Sequence, residues 1–222
     1  IDPWLKNNPA CPENLQEPKD IDYILITHGH FDHIGDLFPA CELNKEAKII
    51  TSIEISTWLN AKGISNTLPM GIGGTQPIDN DIKVTMVNAV HASGIADEAS
   101  EAMLYGGVAN GFVVTFKNGF AIYFAGDTGL GPFMRKIQQR SAPIRMALLP
   151  IGAYQPRHIM KWMHMNPDDA VQALQHLKAK QAIGIHFDSF EGLADEAQFK
   201  AKIELKKALN RRHIQTQHFI TP

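Results

Sequence analysis

Apolar positions along this chain alternate between short continuous runs and longer periodic stretches. The runs at 23–27, 48–51, 82–87, 146–150 and 181–185 are rich in β-formers and predict buried strands. Helical spacing predicts an amphipathic helix over 53–61 closed by Gly63, and others over 131–139 and 167–177, the latter with proline in its first turn. A short helix is expected over 35–43, and a final one near 195–210 ends in basic residues. Asn118-Gly119 between the apolar runs 111–117 and 120–124 is the strongest hairpin signal. Strands and helices interleaved in this way predict an α/β protein of two mixed sheets with helices on the outer faces. Stretch 92–110 is rich in small residues without periodicity, and predicts a mobile flap rather than a core element. No internal repeat or low-complexity segment interrupts the pattern.

One predicted strand runs into a segment of different character, Thr27-His28-Gly29-His30-Phe31-Asp32-His33-Ile34-Gly35-Asp36. Three imidazoles and a carboxylate fall within six residues there. His28 and His30 can point one way and Asp32 and His33 another, so one short loop can serve two metal ions side by side. Imidazole and carboxylate donors suit borderline metals such as zinc. Three more donors stand at the ends of strand-like runs: His91, Asp127 in Ala125-Gly126-Asp127-Thr128-Gly129, and His186. Strand ends on one rim are where an α/β fold assembles a site.

Composition narrows the field. At 222 residues with 44% hydrophobic positions, the chain is long and apolar enough for a sizeable core. A net charge of −2 leaves no basic footprint for nucleic acid. No run approaches the length of a membrane span. Cys11 and Cys41 are too few for a disulfide framework and stand outside metal-like spacing, though one bridge between them stays open for an exported form. The chain opens on Ile1-Asp2-Pro3-Trp4-Leu5 without an initiator Met, which reads as a strand entering a loop. A cytoplasmic protein is the expectation, with a processed, exported form as the alternative. A homo-oligomer is compatible with the sequence.

The ordered series His28-x-His30-x-Asp32-His33, His91, Asp127 and His186 resembles the metallo-β-lactamase superfamily over nearly the whole chain. Ile1-Asp2-Pro3, Ile72-Gly73-Gly74-Thr75 and Ala125-Gly126-Asp127-Thr128-Gly129 resemble the metal-dependent hydrolase branch that includes the L-ascorbate phosphate lactonases. The stretch Pro150-Ile151-Gly152-Ala153-Tyr154-Gln155-Pro156-Arg157, with Met160-Lys161, His164, Asn166-Pro167 and Ala170-Val171, resembles the N-acyl phosphatidylethanolamine phospholipase D type. This resemblance implies an αββα sandwich forming a single domain over residues 1–222, short of the two strands and Gly-His turn that normally precede Ile-Asp-Pro.

The resemblance also implies a ligand set. His28, His30 and His91 would hold one divalent ion, Asp32, His33 and His186 a second, and Asp127 would bridge them. Zinc is expected, with manganese or iron as substitutes. A hydroxide held between the ions would be the nucleophile, with Asp127 and Asp32 as catalytic carboxylates. Tyr154, Arg157, His164 and Asp188 are the expected contacts to a small-molecule or lipid-derived substrate. Asp2 is expected to accept an N–H from a ligand imidazole or to cap a buried turn. The leading substrate is a phosphodiester; the alternative is a lactone, another cyclic ester or a β-lactam. Phe187-Asp188 departs from the phospholipase type, which has Trp and Gly there, and no clear membrane-facing patch is present. The absence of a ligand-position Cys disfavours the cysteine-ligand β-lactamases. A di-iron oxidoreductase on this scaffold would carry an acidic residue at His30, and a non-catalytic binding module would have lost ligands.

Overall fold

The computed structural model describes residues 1–97, 101–187, 189 and 201–222. In chain order its strands are β1 (Tyr23–Leu25), β2 (Lys48–Ser52), β3 (Thr67–Met70), β4 (Thr75–Pro77), β5 (Ile82–Asn88), β6 (Gly94–Asp97), β7 (Ala102–Tyr105), β8 (Asn110–Phe116), β9 (Ala121–Phe124), β10 (Ile144–Pro150), β11 (Gln181–Ile185) and β12 (Phe219–Ile220). The helices are α1 (Phe31–Ile34), α2 (Leu37–Leu43), α3 (Ile53–Ala61), α4 (Phe133–Arg140), α5 (Arg157–Met160), α6 (Pro167–Leu177) and α7 (Ala201–Arg211). They divide into two compact units, Ile1–Gly71 with Ala92–Ala109, and Ile72–His91 with Asn110–Pro222. Among the described residues no helix is long and apolar enough to cross a membrane.

The first unit is built on a parallel sheet of order β1-β2-β3, with Tyr23 opposite Lys48 and Leu25 opposite Ile50. Its apolar runs are continuous because Ile24, Leu25, Ile49 and Ile50 are all buried. The Ser52 side chain accepts from the Ile55 N–H and starts α3, which turns Ile55 and Leu59 onto the core one turn apart. Strands β6 and β7 pair as a hairpin, with Gly94 opposite Tyr105. This corrects the expectation that stretch 92–110 holds no core element: Ile95 is buried in the core with Ile26, Leu37 and Ile49, while residues 98–100 lie outside the described residues. Backbone pairing organises a segment whose small side chains have no period.

The second unit is a seven-stranded sheet of order β12-β11-β10-β9-β8-β5-β4. Strands β9 to β12 run parallel, while β8 is antiparallel to both β9 and β5. Asn118-Gly119 makes the turn between β8 and β9, where Gly119 takes φ 78° at a position that suits glycine. The core combines Tyr123, Ala147 and Leu149 of the sheet with Met134 and Ile137 of α4, Val171 and Leu174 of α6, and Leu205 and Leu209 of α7. Helix α6 opens with a capping box: the Asn166 side chain accepts from the Asp169 N–H, and the Asp169 carboxylate accepts from the Asn166 N–H. Residues 195–200 of the expected last helix lie outside the described residues; α7 supplies the remainder.

Candidate metal centre

In the second unit β5, β9, β10 and β11 all point the same way, so their C-terminal ends share one edge of the sheet. His91, Asp127, Tyr154 and His186 follow those four ends. Backbone and hydroxyl hydrogen bonds tie the loops together. The Val90 N–H donates to Thr128 Oγ1 at 2.9 Å, and the Met165 N–H donates to the Thr128 carbonyl at 3.1 Å. Close approach is possible because of two glycines. A Cβ on Gly129 would collide with the Trp162 carbonyl, and one on Gly152 with the His186 carbonyl.

Asp127 lies at the centre of this second-unit cluster with a buried side chain. Its Oδ2 is 3.3 Å from His186 Nε2, 3.7 Å from His164 Nδ1 and 3.8 Å from His91 Nε2. His91, Asp127 and His164 offer ligand atoms that all lie within 4.8 Å of one another. The Tyr154 hydroxyl meets His186 Nδ1 at 3.1 Å, and its ring sits edge-on to His164 at 4.6 Å. Hydroxyl contact at Nδ1 leaves the Nε2 of His186 toward Asp127. Tyr154, expected at the substrate, is thus buried against two imidazoles.

His164 is placed more deeply than its pattern suggests. It is buried, and its ring is edge-on to His91 at 4.7 Å. Arg157, expected to meet an anionic substrate group, turns its guanidinium to structural partners. Its Nη1 donates to the His164 carbonyl at 2.9 Å and its Nη2 pairs with Asp169 at 3.2 Å. Burial holds the Arg157 guanidinium below its usual pKa despite the neighbouring Asp169, and pushes the Asp169 carboxyl above the usual range. His158 is exposed on α5, and Asp188 lies outside the described residues.

The first unit carries the other donors. His28 and His30 occupy the loop after β1, and Asp32 and His33 begin α1. His28 Nε2 is 3.0 Å from His30 Nδ1, the His28 and His33 rings are 3.9 Å apart, and His33 Nε2 is 3.4 Å from Asp32. Behind them stands Asp2. Its Oδ2 lies 2.8 Å from His33 Nδ1 and accepts the Thr27 hydroxyl at 2.7 Å, while its Oδ1 accepts the Thr27 N–H at 2.8 Å. A carboxylate only accepts, so His33 carries its proton on Nδ1. Thr27 has a single hydroxyl proton and gives it to Asp2. Its oxygen must then accept from His28 Nδ1, 3.0 Å away. One buried carboxylate therefore sets both rings with Nε2 turned away from it, where His28 Nε2 meets His30 Nδ1 and His33 Nε2 faces Asp32. The sequence leaves two readings for Asp2, and its hydrogen bonds serve both.

The donor chemistry fits a divalent metal: imidazoles, two of them held at Nδ1 by the Asp2 relay, and buried carboxylates that need a positive partner. Cys11 and Cys41 are free thiols outside these clusters, and burial raises both thiol pKa values.

Comparison with known proteins places this geometry. A family model described as the beta-lactamase superfamily domain matches residues 1–187. A UPF0173 metal-dependent hydrolase of Koribacter versatilis is 43% identical over 192 residues, which are 86% of this chain and 76% of that protein. Igni18, a metallo hydrolase from the archaeon Ignicoccus hospitalis, superposes with a TM-score of 0.74 at 25% identity, over 100% of this chain and 85% of that one. The metallo-beta-lactamase fold protein YhfI from Bacillus subtilis superposes with a TM-score of 0.62 at 12% identity, over 90% and 74%.

Proposed function

From the premise that the chain belongs to the beta-lactamase superfamily domain family and is a metal-dependent hydrolase of the metallo-β-lactamase fold, we propose that its two histidine clusters hold two divalent cations as one centre. His28, His30 and His91 would hold one ion and Asp32, His33 and His186 the other, with Asp127 available to both. Zinc is the preferred ion, with manganese or iron able to replace it. The observation that carries this reading is the relay at Asp2, which commits His28 and His33 to the tautomer a cation requires.

Bound divalent cations would supply Lewis-acid polarisation of the scissile group and a water acidified to a pKa of about 7. The chain's own groups do the rest. Asp127 contributes the negative charge among three imidazole nitrogens. Tyr154 holds the His186 ring through its hydroxyl. Arg157 and Asp169 clamp the backbone at His164, whose buried imidazole lies 3.7 Å from Asp127. Asp32 is the second carboxylate of the centre.

The substrate we propose is a phosphodiester bearing an apolar group. Two cations suit displacement at phosphorus because attacking and leaving oxygens both carry charge. The hairpin β6–β7 supports the apolar group. It is anchored beside the His28–His30 loop by the Gly29 N–H donating to Ser93 Oγ at 3.2 Å, and it exposes Met103 and Tyr105. The test is a panel of bis(4-nitrophenyl) phosphate, a γ-lactone and a chromogenic β-lactam with metal-loaded protein. Turnover of the phosphodiester, lost on chelation and restored by zinc or manganese, is expected. Chelator-sensitive turnover of only the lactone or the β-lactam would overturn the phosphodiester reading and leave the metal reading standing.

A further inference from the structure

Three imidazoles face Asp127, and His164 is the one without a place in the proposed ligand set. Its surroundings suit a fixed donor better than a group reaching for substrate. The residue is buried, and its ring lies edge-on to Tyr154 at 4.6 Å and to His91 at 4.7 Å. The His186 ring stacks at 5.8 Å. The backbone is held on both sides of the residue: the His164 carbonyl accepts from Arg157 Nη1 at 2.9 Å, and the next N–H, that of Met165, donates to the Thr128 carbonyl at 3.1 Å. Ring plane and main chain are therefore both set by neighbours in the second unit.

The separations at Asp127 are those of ligands rather than of hydrogen-bond partners. His164 Nδ1 is 3.7 Å from Asp127 Oδ2, and His91 Nε2 is 3.8 Å from the same oxygen. An N–H···O bond spans about 2.7–3.2 Å, so neither imidazole donates to that oxygen. Two donors on one zinc ion, each about 2.0–2.2 Å from it in a tetrahedral array, stand roughly 3.3–3.6 Å apart. The ligand atoms of His91, Asp127 and His164 all lie within 4.8 Å of one another, so a small contraction brings them onto a single cation.

We propose that His164 is a metal ligand, and that its Nδ1 completes with His91 Nε2 and Asp127 Oδ2 a three-donor site inside the second unit. This rests on the reading of the histidine clusters as a metal centre and adds a donor to it. With Nδ1 on the metal, the ring of His164 keeps its proton on Nε2. Arg157 then acts on the metal through the His164 backbone and is a positioning residue.

The experiment is NMR of the full chain loaded with ¹¹³Cd in place of zinc, reading the scalar coupling of the metal to imidazole ring protons. Through an Nδ1 bond the metal is three bonds from Hε1 alone; through an Nε2 bond it is three bonds from both Hε1 and Hδ2. His164 should show coupling at Hε1 only, and His91 at both ring protons. His164→Phe keeps the ring contacts and removes the donor. It should lower zinc affinity at one site by about 100-fold or more in chelator competition, beyond the usual loss for a group that only orients a ligand, with melting temperature maintained. Coupling at His91 with none at His164 would overturn this inference and leave the metal centre standing. So would full zinc affinity in His164→Phe. Coupling at no histidine would overturn both.

Discussion

The two histidine clusters reach a similar donor chemistry by opposite routes. In the first unit the four donors fall within six residues, and their orientation comes from afar, through Asp2. In the second unit the donors are scattered over four strand ends, and their orientation comes from residues on neighbouring loops, Tyr154 for His186 and Arg157 for His164. A contiguous motif announces its ligands but hides the group that sets them. A dispersed site hides its ligands until the strand directions are known. The first arrangement concentrates control in one carboxylate, and the second spreads it.

That contrast predicts unequal consequences of mutation. The largest belongs to Asp127, the shared anion of the proposed centre. Asp127→Ala should bring turnover to background and weaken retention of at least one metal, read by activity and elemental analysis; near-wild-type activity would refute its role. Next come the orienting groups. Asp2→Asn should lower metal affinity by about 10–100-fold in chelator competition, because it disturbs two ligand rings at once. Tyr154→Phe touches one ring and should fall at or below the bottom of that range. A larger loss for Tyr154→Phe than for Asp2→Asn would invert the comparison.

The Arg157–Asp169 pair offers a sharper test of the spread-out control. Burial penalises both charges, so breaking the pair should cost more than removing it. Arg157→Met alone should destabilise by about 1.5 kcal/mol in chemical denaturation, and Arg157→Met/Asp169→Asn by less. Additive losses would mean that the pair does not act as a unit. The smallest effect concerns Asp168. Hydrogen bonds from Arg212 and Arg211 hold its carboxyl below the usual range. Its pairing therefore stabilises the fold above the unfolded pKa of about 3.9 and is lost as pH falls through the lower folded value. Asp168→Asn should flatten the acid decline in stability, by no more than about 1 kcal/mol at this partly exposed position. An unchanged decline would show the contacts to be idle.

Legibility in the sequence follows the same division. Strands β2, β5, β10 and β11, helices α3 and α6, and the Asn118-Gly119 hairpin were readable because each has a local period, cap or turn signal. The hairpin β6–β7 was not, since backbone pairing rather than side-chain alternation creates it. Likewise β12 is only two residues long and exists by pairing with β11. Among candidate site residues, the His28–His33 segment stands out by density alone. The depth of His164 beside Asp127 depends on the Met165 N–H reaching Thr128, a contact between loops with no local signature. Arg157 was legible as a cation near a site but not as the partner of Asp169, although Asn166-Pro167-Asp168-Asp169 marks the helix start that the pair braces.

A centre shared by the two clusters would hold two ions. Elemental analysis of protein saturated with zinc, paired with the same analysis of Asp127→Ala, addresses it directly. Two zinc ions per chain are expected in the parent and at least one fewer in the variant. One ion or none at saturation in the parent, or an unchanged count of two in the variant, would contradict it.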